Sequence, residues 1–241
     1  MSQYLCHENP DLFELECEVV EAAPGRVVLS RSLFYPGGGG QPADHGSLLW
    51  SGGEAAINGV ETSGGQVWHL LADEVTPEGA ALAKVDPLFR AQMCRLHTGL
   101  HLINALAFRD FDGALVTGAQ ISDDGTARLD LDLPGADNER LRALEPEINA
   151  VVRQDLAVRT LLLPMSVAAQ EAGTLRSKAV TPPVQPDGRV RIVEIEGLDR
   201  QACGGTHVVN TGEVGLLKIL KVENKGRHNR RVRIGLVEPV L

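Results

Sequence analysis

The chain changes character at Asp86-Pro87, and this boundary limits the folds that it can adopt. Before it, short apolar runs at residues 47–50, 55–60, 66–71 and 81–85 are separated by Gly, Asn and Ser. Short strands at such close intervals are typical of a small barrel or a curled sheet. After it, apolar residues at helical spacing predict one helix of about six turns, with Asp86 as N-cap and Pro87 in the first turn. The predicted apolar face comprises Leu88, Phe89, Met93, Leu96, Leu100, Ile103 and Ala107.

Beyond this helix the pattern mixes strands and helices. We predict strands at residues 115–121, 126–131, 158–163 and 190–195, a helix at 138–154, and a short helix at 165–172. A hairpin is predicted from strands at 213–222 and 231–237. The fold class is therefore α+β, with a small β-barrel-like N-terminal domain at residues 1–86 and an α+β domain at residues 87–241.

Composition excludes several classes of function. The 241 residues carry a formal net charge of -9, which argues against coating nucleic acid or a membrane through bulk charge. Aromatic residues make up only 4%, so an extended base-stacking surface is not expected. We find no apolar run of membrane-spanning length and no signal-peptide pattern, and expect no membrane partner. Four irregularly spaced cysteines indicate a reducing, cytoplasmic compartment.

Two histidines four residues apart form the first chemically distinctive pattern. His97 and His101 lie one turn apart on the same side of the predicted helix, so their imidazoles can converge on one ion. Leu96 and Leu100 flank this face, which is not the apolar one. Taken alone, the pattern fits a pair of solvated histidines equally well. Cys94, one turn earlier, is expected to be a buried thiol and is an alternative ligand.

A second pair, Cys203 and His207, follows the predicted strand at 190–195. Gly204 and Gly205 favour a tight turn that lets both side chains face one point. One thiolate and three imidazoles suit Zn²⁺. All four would close a tetrahedral site, whereas three would leave a position for water, and the sequence leaves both arrangements open. We predict a zinc site formed by His97, His101, Cys203 and His207.

The segment Gly37-Gly38-Gly39-Gly40-Gln41-Pro42 can form neither a helix nor a regular strand. Pro42 opposes the helix that a dinucleotide-binding loop opens, and no Lys-Ser or Lys-Thr follows, so we expect no nucleotide cofactor. Two interpretations remain. The segment is a flexible surface hairpin, or its bare backbone approaches a ligand while Gln41 supplies a polar side chain.

Positive charge is concentrated near the C-terminus, although the chain is acidic overall. Seven basic residues and one acid, Glu223, lie between Lys218 and Arg233, so this segment carries +6. It is either a solvated hairpin or a surface that contacts nucleic-acid phosphates. The predicted phosphate contacts are Lys218, Lys221, Lys225, Arg227, Arg230 and Arg231.

Three segments of the chain, FYPGGGGQPADHG, HTGLH and CGGTH, together resemble a known family. The family is the editing domain of alanyl-tRNA synthetase with its free-standing relatives, the AlaX trans-editing proteins. The two metal motifs alone also resemble the threonyl-tRNA synthetase editing domain. The glycine-rich segment favours the editing domain of alanyl-tRNA synthetase over it. The resemblance runs from Phe34 to the basic hairpin. The length and the N-terminal domain are similar to the medium-sized AlaX class.

This resemblance implies a zinc-dependent deacylase that hydrolyses seryl-tRNA(Ala), with glycyl-tRNA(Ala) as a further substrate, and spares alanyl-tRNA(Ala). It implies that the four metal-motif residues bind zinc and that the acceptor end of mischarged tRNA(Ala) is the partner. Gln41 matches the glutamine that ends the family's glycine-rich motif, near the editing pocket. On this basis we predict as catalytic residues Gln41, Ser32 and Cys203.

Two positions depart from the family pattern. Ser32 stands where the family usually has a threonine implicated in recognising the serine hydroxyl, so the hydroxyl is kept and a methyl group is lost. After Lys225-Gly226-Arg227, His228 replaces the second glycine of the family's Lys-Gly-x-Gly pattern. The first departure bears on substrate preference, and the second on how closely the backbone can approach a ligand there.

Ester hydrolysis also needs stabilisation of the oxyanion that forms on the carbonyl. The N–H groups of Gly204, Gly205 and Thr206 are predicted to face it. Alternative functions are the same deacylation on another misacylated tRNA, such as seryl-tRNA(Thr), or a non-catalytic, zinc-stabilised RNA-binding module. Nothing in the sequence indicates an oligomeric state.

Overall fold

A computed structural model describes residues 5–237 and confirms the predicted α+β fold with an N-terminal β-barrel. The chain folds into two compact units. The first contains the residues up to Gly38 together with Pro42–Ala91, and the second contains Gly39–Gln41 together with the residues from Gln92 onward. The domain boundary after residue 86 stays a prediction.

The first unit is a closed six-stranded barrel preceded by a one-turn helix, α1 (Leu5–Glu8). Its strands are β1 (Glu14–Ala23), β2 (Arg26–Leu29), β3 (Gly46–Trp50), β4 (Gly53–Ser63), β5 (Gln66–Leu71) and β6 (Ala80–Val85). They follow the spatial order β1-β2-β5-β4-β3-β6 with antiparallel pairing throughout. Alternate side chains of β1 and β6 point inward, so Leu15, Cys17, Ala83 and Val85 contribute to its apolar core.

A buried ion pair lies within this unit. Arg90 and Asp44 are 2% and 0% exposed, and the guanidinium also donates to the carbonyl oxygen of Leu33. The backbone N–H of Tyr35 donates to the Asp44 carboxylate at 2.6 Å. Removing one partner of such a pair leaves the other charge buried without compensation. It therefore lowers the free energy of unfolding by about 3–5 kcal/mol. The pair therefore fixes the chain on either side of the glycine-rich segment.

A fully buried histidine lies in the barrel wall. Nε2 of His69, on β5, is 2.7 Å from Oγ of Ser32, and Nδ1 is 3.4 Å from the carbonyl oxygen of Val27. A carbonyl oxygen only accepts, so Nδ1 carries the proton and Nε2 accepts the Ser32 hydroxyl. Burial lowers the pKa of His69 to about 4, so this imidazole is neutral near pH 7.

We expect the barrel to lose stability as the pH falls from about 6.5 to about 4. In this window the unfolded chain protonates His69 and the folded chain does not, so the unfolded state binds more protons and gains stability. The lowered pKa of His69 corresponds to a loss of about 3 kcal/mol in the free energy of unfolding across this window. Denaturant unfolding at pH 7 and pH 4 can be followed by tryptophan fluorescence, because both tryptophans, Trp50 and Trp68, lie in barrel strands. In His69→Gln, the free energy of unfolding should fall by about 3 kcal/mol less between pH 7 and pH 4 than in the wild type. An equal fall in the two proteins would contradict the neutral state assigned to buried His69.

The second unit combines two antiparallel sheets with one long and several short helices. The four-stranded sheet has the order β12-β13-β8-β7, formed by β7 (Leu115–Ile121), β8 (Thr126–Asp132), β12 (Leu217–Lys225) and β13 (Asn229–Leu236). The three-stranded sheet has the order β11-β10-β9, formed by β9 (Val158–Pro164), β10 (Arg189–Ile195) and β11 (Asp199–Ala202). The helices are α2 (Pro87–Asp110), which belongs to the second unit from Gln92 onward, α3 (Asn138–Arg142), α4 (Glu145–Arg153) and α5 (Met165–Ala168), with a 3₁₀ turn at Thr211–Val214.

The long helix α2 confirms the predicted start and corrects the predicted apolar face. Oδ1 of Asp86 accepts hydrogen bonds from the N–H groups of Leu88 and Phe89 at 2.9 and 3.1 Å, as an N-cap does. Leu88 is 81% exposed whereas Arg90, about half a turn further along, is 2% exposed, so Leu88 lies on the solvent-facing side of this end of the helix. From Leu96 to Ala107 every residue is buried. The solvated interpretation of the two histidines is therefore wrong.

Three predicted element bounds are also wrong. The helix predicted at 138–154 is two helices, α3 and α4, because Pro146 lacks an N–H and is accommodated only in the first turn of a new helix. Helix α5 ends at Ala168 rather than at residue 172. Strand β12 begins at Leu217 rather than at residue 213, because the 3₁₀ turn precedes it. Within residues 5–237, no helix combines the length and the apolar composition needed to cross a bilayer.

Candidate metal centre

The structure brings all four predicted metal ligands into one cluster. Helix α2 presents His97 and His101 one turn apart, and the loop after β11 presents Cys203 and His207. One ligand atom from each residue lies within 4.8 Å of the other three. The three imidazole residues are each 7% exposed. Cys94 is buried and is not part of this cluster.

The spacing of these atoms fits a tetrahedral ion. Sγ of Cys203 lies 3.4 Å from Nε2 of His97 and 3.4 Å from Nε2 of His207. Zinc–sulfur and zinc–nitrogen bonds of tetrahedral geometry place such ligand atoms about 3.5 Å apart. Nδ1 of His101 is buried without a hydrogen-bond partner in the described part of the chain, and an ion or a water would satisfy it. The donor set and its spacing therefore fit Zn²⁺.

Gln41 orients one of these imidazoles. Its Oε1 lies 3.1 Å from the N–H of Thr206, which only donates, so the orientation of the amide is fixed. The same Oε1 lies 2.7 Å from Nδ1 of His97, and Nε2 of the amide donates to Oγ1 of Thr206 at 2.8 Å. Nδ1 of His97 therefore carries the proton, and its Nε2 lone pair faces Cys203. These contacts are those of a positioning residue, and the predicted catalytic role of Gln41 stays a prediction.

Thr98 holds a second imidazole in the same way. Its Oγ1 lies 3.1 Å from Nδ1 of His207 and accepts a hydrogen bond from the N–H of Val208 at 3.3 Å. The Thr98 hydroxyl can donate or accept at Nδ1, and the form in which Nδ1 donates leaves Nε2 of His207 with a lone pair that faces the thiol. Oxygen acceptors behind the ligands fix the ring tautomers and raise ligand basicity.

Electrostatic effects within the cluster favour a thiolate at Cys203 and a neutral imidazole at His207. Burial raises the pKa of the Cys203 thiol, but His97, His101 and His207 outweigh this effect and leave the pKa well below its usual value. Burial lowers the pKa of His207, and the neighbouring histidines lower it further. A thiolate and neutral imidazoles are the forms that coordinate a metal.

Two glycines allow the close packing around this cluster. A Cβ at Gly205 would overlap the ring of His97 and crowd Oε1 of Gln41. A Cβ at Gly40 would overlap the backbone of Ala119, and the carbonyl oxygen of Gly40 accepts from the N–H of Ile121 at 2.7 Å. Gly40 also has a φ of 92°, which favours glycine. The glycine-rich segment is thus tied to β7 just before Gln41, so it is not a flexible hairpin at this point.

The backbone of the Cys203–His207 loop corrects one prediction. The N–H of Gly205 donates to Sγ of Cys203 at 3.4 Å, and the N–H of Thr206 is taken by Gln41. Neither group is left to stabilise an oxyanion, so the prediction for Gly205 and Thr206 is wrong. The role of the Gly204 N–H stays a prediction.

The basic hairpin β12–β13 separates the predicted phosphate contacts into two groups. Arg230 is 7% exposed and donates to the carbonyl oxygen of Ala136 at 3.0 Å. Arg231 makes two hydrogen bonds of 2.6 and 2.7 Å to the Asp130 carboxylate. Both guanidinium groups are thus used within the unit. The side chains that remain exposed are Lys218, Lys221, Lys225 and Arg227.

Ser32 belongs to the first unit, whereas the four metal ligands belong to the second. Its Oγ also accepts a hydrogen bond from the N–H of Phe34 at 3.1 Å. With the hydroxyl proton directed at His69, one lone pair of Oγ remains available for a donor. The predicted catalytic role of Ser32 stays a prediction.

The sequence motifs carried an unused signal for two residues of this site. Thr98 lies beside His97 in HTGLH, and Thr206 lies beside His207 in CGGTH. Each of the two motifs thus has a hydroxyl side chain beside a histidine ligand, and such hydroxyls can form hydrogen bonds that orient the ligands. Arg191, which contacts the loop, carries no such signal, because it lies inside an ordinary strand pattern.

Comparisons with known proteins point to one family. Residues 190–233 match the family described as the threonyl and alanyl tRNA synthetase second additional domain. The chain is 36% identical over 238 residues to the alanyl-tRNA editing protein AlaX-M of Saccharolobus solfataricus, covering 96% of this chain and 98% of that protein. It is 32% identical over 243 residues to AlaX-M of Methanosarcina mazei, covering 94% and 93%. It is 38% identical over 221 residues to the alanine–tRNA ligase of Korarchaeum cryptofilum but spans only 24% of that protein.

A β-barrel and an α+β unit that carries three buried imidazoles beside a partly buried thiol define a two-unit α+β protein with a candidate metal centre. The similarity to two AlaX-M proteins extends over nearly the whole length of both chains, and this shows the family. The chain belongs to the AlaX family of alanyl-tRNA editing proteins, and the resemblance in the sequence motifs is confirmed.

Proposed function

We propose that this protein is a zinc-dependent deacylase that hydrolyses the ester of mischarged tRNA(Ala), chiefly seryl-tRNA(Ala) and also glycyl-tRNA(Ala). The observation that carries the proposal is the convergence of the four ligand atoms within 4.8 Å, in a chain of this family. When bound, zinc would polarise an oxygen of the substrate or of a water. Selection is physically sensible, because a pocket built for alanine excludes serine poorly, whereas a second site can hydrogen-bond the extra hydroxyl.

The chain's own residues would prepare the site for this ion. His97, His101, Cys203 and His207 would hold it. Gln41 accepts the Nδ1 proton of His97, which directs the Nε2 lone pair of that imidazole to the cluster. Thr98 would accept the Nδ1 proton of His207 in the metal-bound state, with the same result for its Nε2. Ser32 offers one free lone pair, so by family resemblance it would accept a hydrogen bond from the seryl hydroxyl.

We propose tRNA as the partner and the cytoplasm as the location, consistent with the family and with four cysteines that form no disulfide in the described residues. The acceptor end of tRNA(Ala) would supply the ester. The exposed basic side chains of the hairpin would contact phosphates. Because Arg230 and Arg231 are used within the unit, we assign this role to Lys218, Lys221, Lys225 and Arg227.

Neutralising the hairpin tip should weaken the salt dependence of deacylation. In Lys225→Gln/Arg227→Gln, we expect the slope of log(kcat/KM) against log[salt] to become shallower by roughly 0.7–0.9 for each phosphate that the hairpin no longer binds. The control is Arg153→Gln/Arg159→Gln, which removes two exposed charges elsewhere in the same unit. Equal slopes in the tip variant and the wild type would contradict tRNA binding by this hairpin.

A panel of four substrates tests the proposed activity. Purified metal-replete protein is incubated with seryl-, glycyl- and alanyl-tRNA(Ala) and with seryl-tRNA(Thr), and loss of the ester is followed. We expect rapid loss from seryl-tRNA(Ala) and sparing of alanyl-tRNA(Ala). Preferential hydrolysis of seryl-tRNA(Thr) would support the alternative substrate. No hydrolysis of any substrate, with RNA binding retained, would instead support a non-catalytic RNA-binding module.

A further inference from the structure

The side chain of Arg191 contacts the metal loop from an adjacent strand. Arg191 lies on β10, and its Nη1 donates hydrogen bonds of 2.9 Å to the carbonyl oxygens of both Cys203 and Gly205. One guanidinium nitrogen carries two N–H groups, so it can serve both carbonyls at once. The backbone carbonyl of Arg191 in turn accepts the N–H of Cys203 at 3.1 Å. One residue thus holds the loop at three backbone groups.

These hydrogen bonds act on the part of the loop that contains two consecutive glycines, Gly204 and Gly205. The bridged carbonyls stand on either side of Gly204, so the guanidinium sets the curvature of a two-glycine turn that would be costly to order. The same turn aims the N–H of Gly205 at Sγ of Cys203 and lays the Gly205 Cα against the ring of His97. Its curvature therefore determines where the thiol lies relative to the imidazoles.

We propose that Arg191 is a positioning residue for the metal centre, and that its bridge between the Cys203 and Gly205 carbonyls preorganises the loop for zinc. The inference rests on the proposed function only in taking the cluster as a zinc site. The proposal does not depend on tRNA deacylation, because it is tested by zinc affinity. A protein without deacylase activity would contradict the proposed function, whereas unchanged zinc affinity after loss of Arg191 would contradict the proposed positioning role.

The sign of the effect separates this proposal from simple electrostatics. A guanidinium carries a positive charge, which opposes the binding of a cation nearby. If only that charge mattered, removing it would tighten zinc binding. If the bridge matters, removing it weakens zinc binding, because the metal must then order the loop itself.

The test compares Arg191→Met with the wild type and with Arg189→Met, which removes an exposed guanidinium from the same strand. Zinc affinity is measured by competition with a chelator, and the absorption spectrum of the Co²⁺-substituted protein reports the ligand geometry. We expect zinc binding to be about 10–100-fold weaker in Arg191→Met, with an altered Co²⁺ spectrum. Arg189→Met should match the wild type. Unchanged or tighter zinc binding in Arg191→Met would overturn the proposal.

Unfolding of the metal-free proteins separates positioning from a general contribution to folding. We expect Arg191→Met and Arg189→Met to unfold at similar denaturant concentrations without metal. If Arg191→Met does not fold, Arg191→Lys is measured instead, because it keeps the charge but not the reach of the guanidinium. Weakened zinc binding in that variant supports the bridge, and wild-type affinity with a wild-type Co²⁺ spectrum overturns it.

Discussion

Cys203→Ala should lose stoichiometric zinc and lower the rate of seryl-tRNA(Ala) deacylation by about 1000-fold or more. Sγ of Cys203 lies 3.4 Å from Nε2 of both His97 and His207, so its loss removes a ligand atom that lies close to two of the others. The thiolate is also the one negatively charged group among the four ligands, so its removal weakens the attraction for the cation. Zinc content is measured by atomic spectroscopy and the rate under single-turnover conditions.

Cys94→Ala is the matched control for this prediction. It removes the same group from a buried thiol one turn before His97 on α2, outside the cluster. We expect it to keep one zinc per chain and a rate near that of the wild type. If both variants lost zinc equally, or if Cys203→Ala kept its activity, Cys203 would not be a ligand.

Gly205→Ala should weaken zinc binding by about 10–100-fold, although it adds only one methyl group. The added Cβ would overlap the ring of His97 and crowd Oε1 of Gln41. Either the loop or the imidazole must then move, and the two sides of the cluster are separated. The φ angle of Gly205 is outside the left-handed region, so the expected effect arises from overlap rather than backbone strain.

Gly59→Ala separates this effect from the general cost of replacing a glycine. The Cβ there would meet only a leucine methyl group at 3.9 Å, and the residue lies in a barrel strand. We expect wild-type zinc affinity in this variant. Measured side by side in a chelator competition, a Gly205→Ala affinity equal to that of Gly59→Ala would contradict the packing of the loop against His97.

Sequence patterns anticipated what depends on local spacing. The closely spaced short apolar runs of the barrel, the N-cap at Asp86 and the one-turn spacing of His97 and His101 are local features, and the structure confirms each. Helical periodicity also placed Leu88 in the core, which is wrong, because periodicity groups residues on one face but does not show which side of each turn is covered.

The hydrogen bonds that organise the metal centre join segments far apart in the chain. Gln41 and His97 are 56 residues apart, and Thr98 and His207 are 109 residues apart. Spacing within a single sequence carries no signal for such pairs, so the pairing of each imidazole with its oxygen acceptor was not predictable. The same limit applies to Arg230, whose hydrogen bond to Ala136 removes it from the exposed basic surface.

The most direct test is the deacylation rate of seryl-tRNA(Ala) as zinc is added back to metal-free protein. We expect a negligible rate without metal, a linear rise, and a plateau at one zinc per chain, with Cys94→Ala following the wild type and Cys203→Ala remaining inactive. A metal-free wild-type protein that hydrolyses seryl-tRNA(Ala) as fast as the zinc-loaded protein would contradict it.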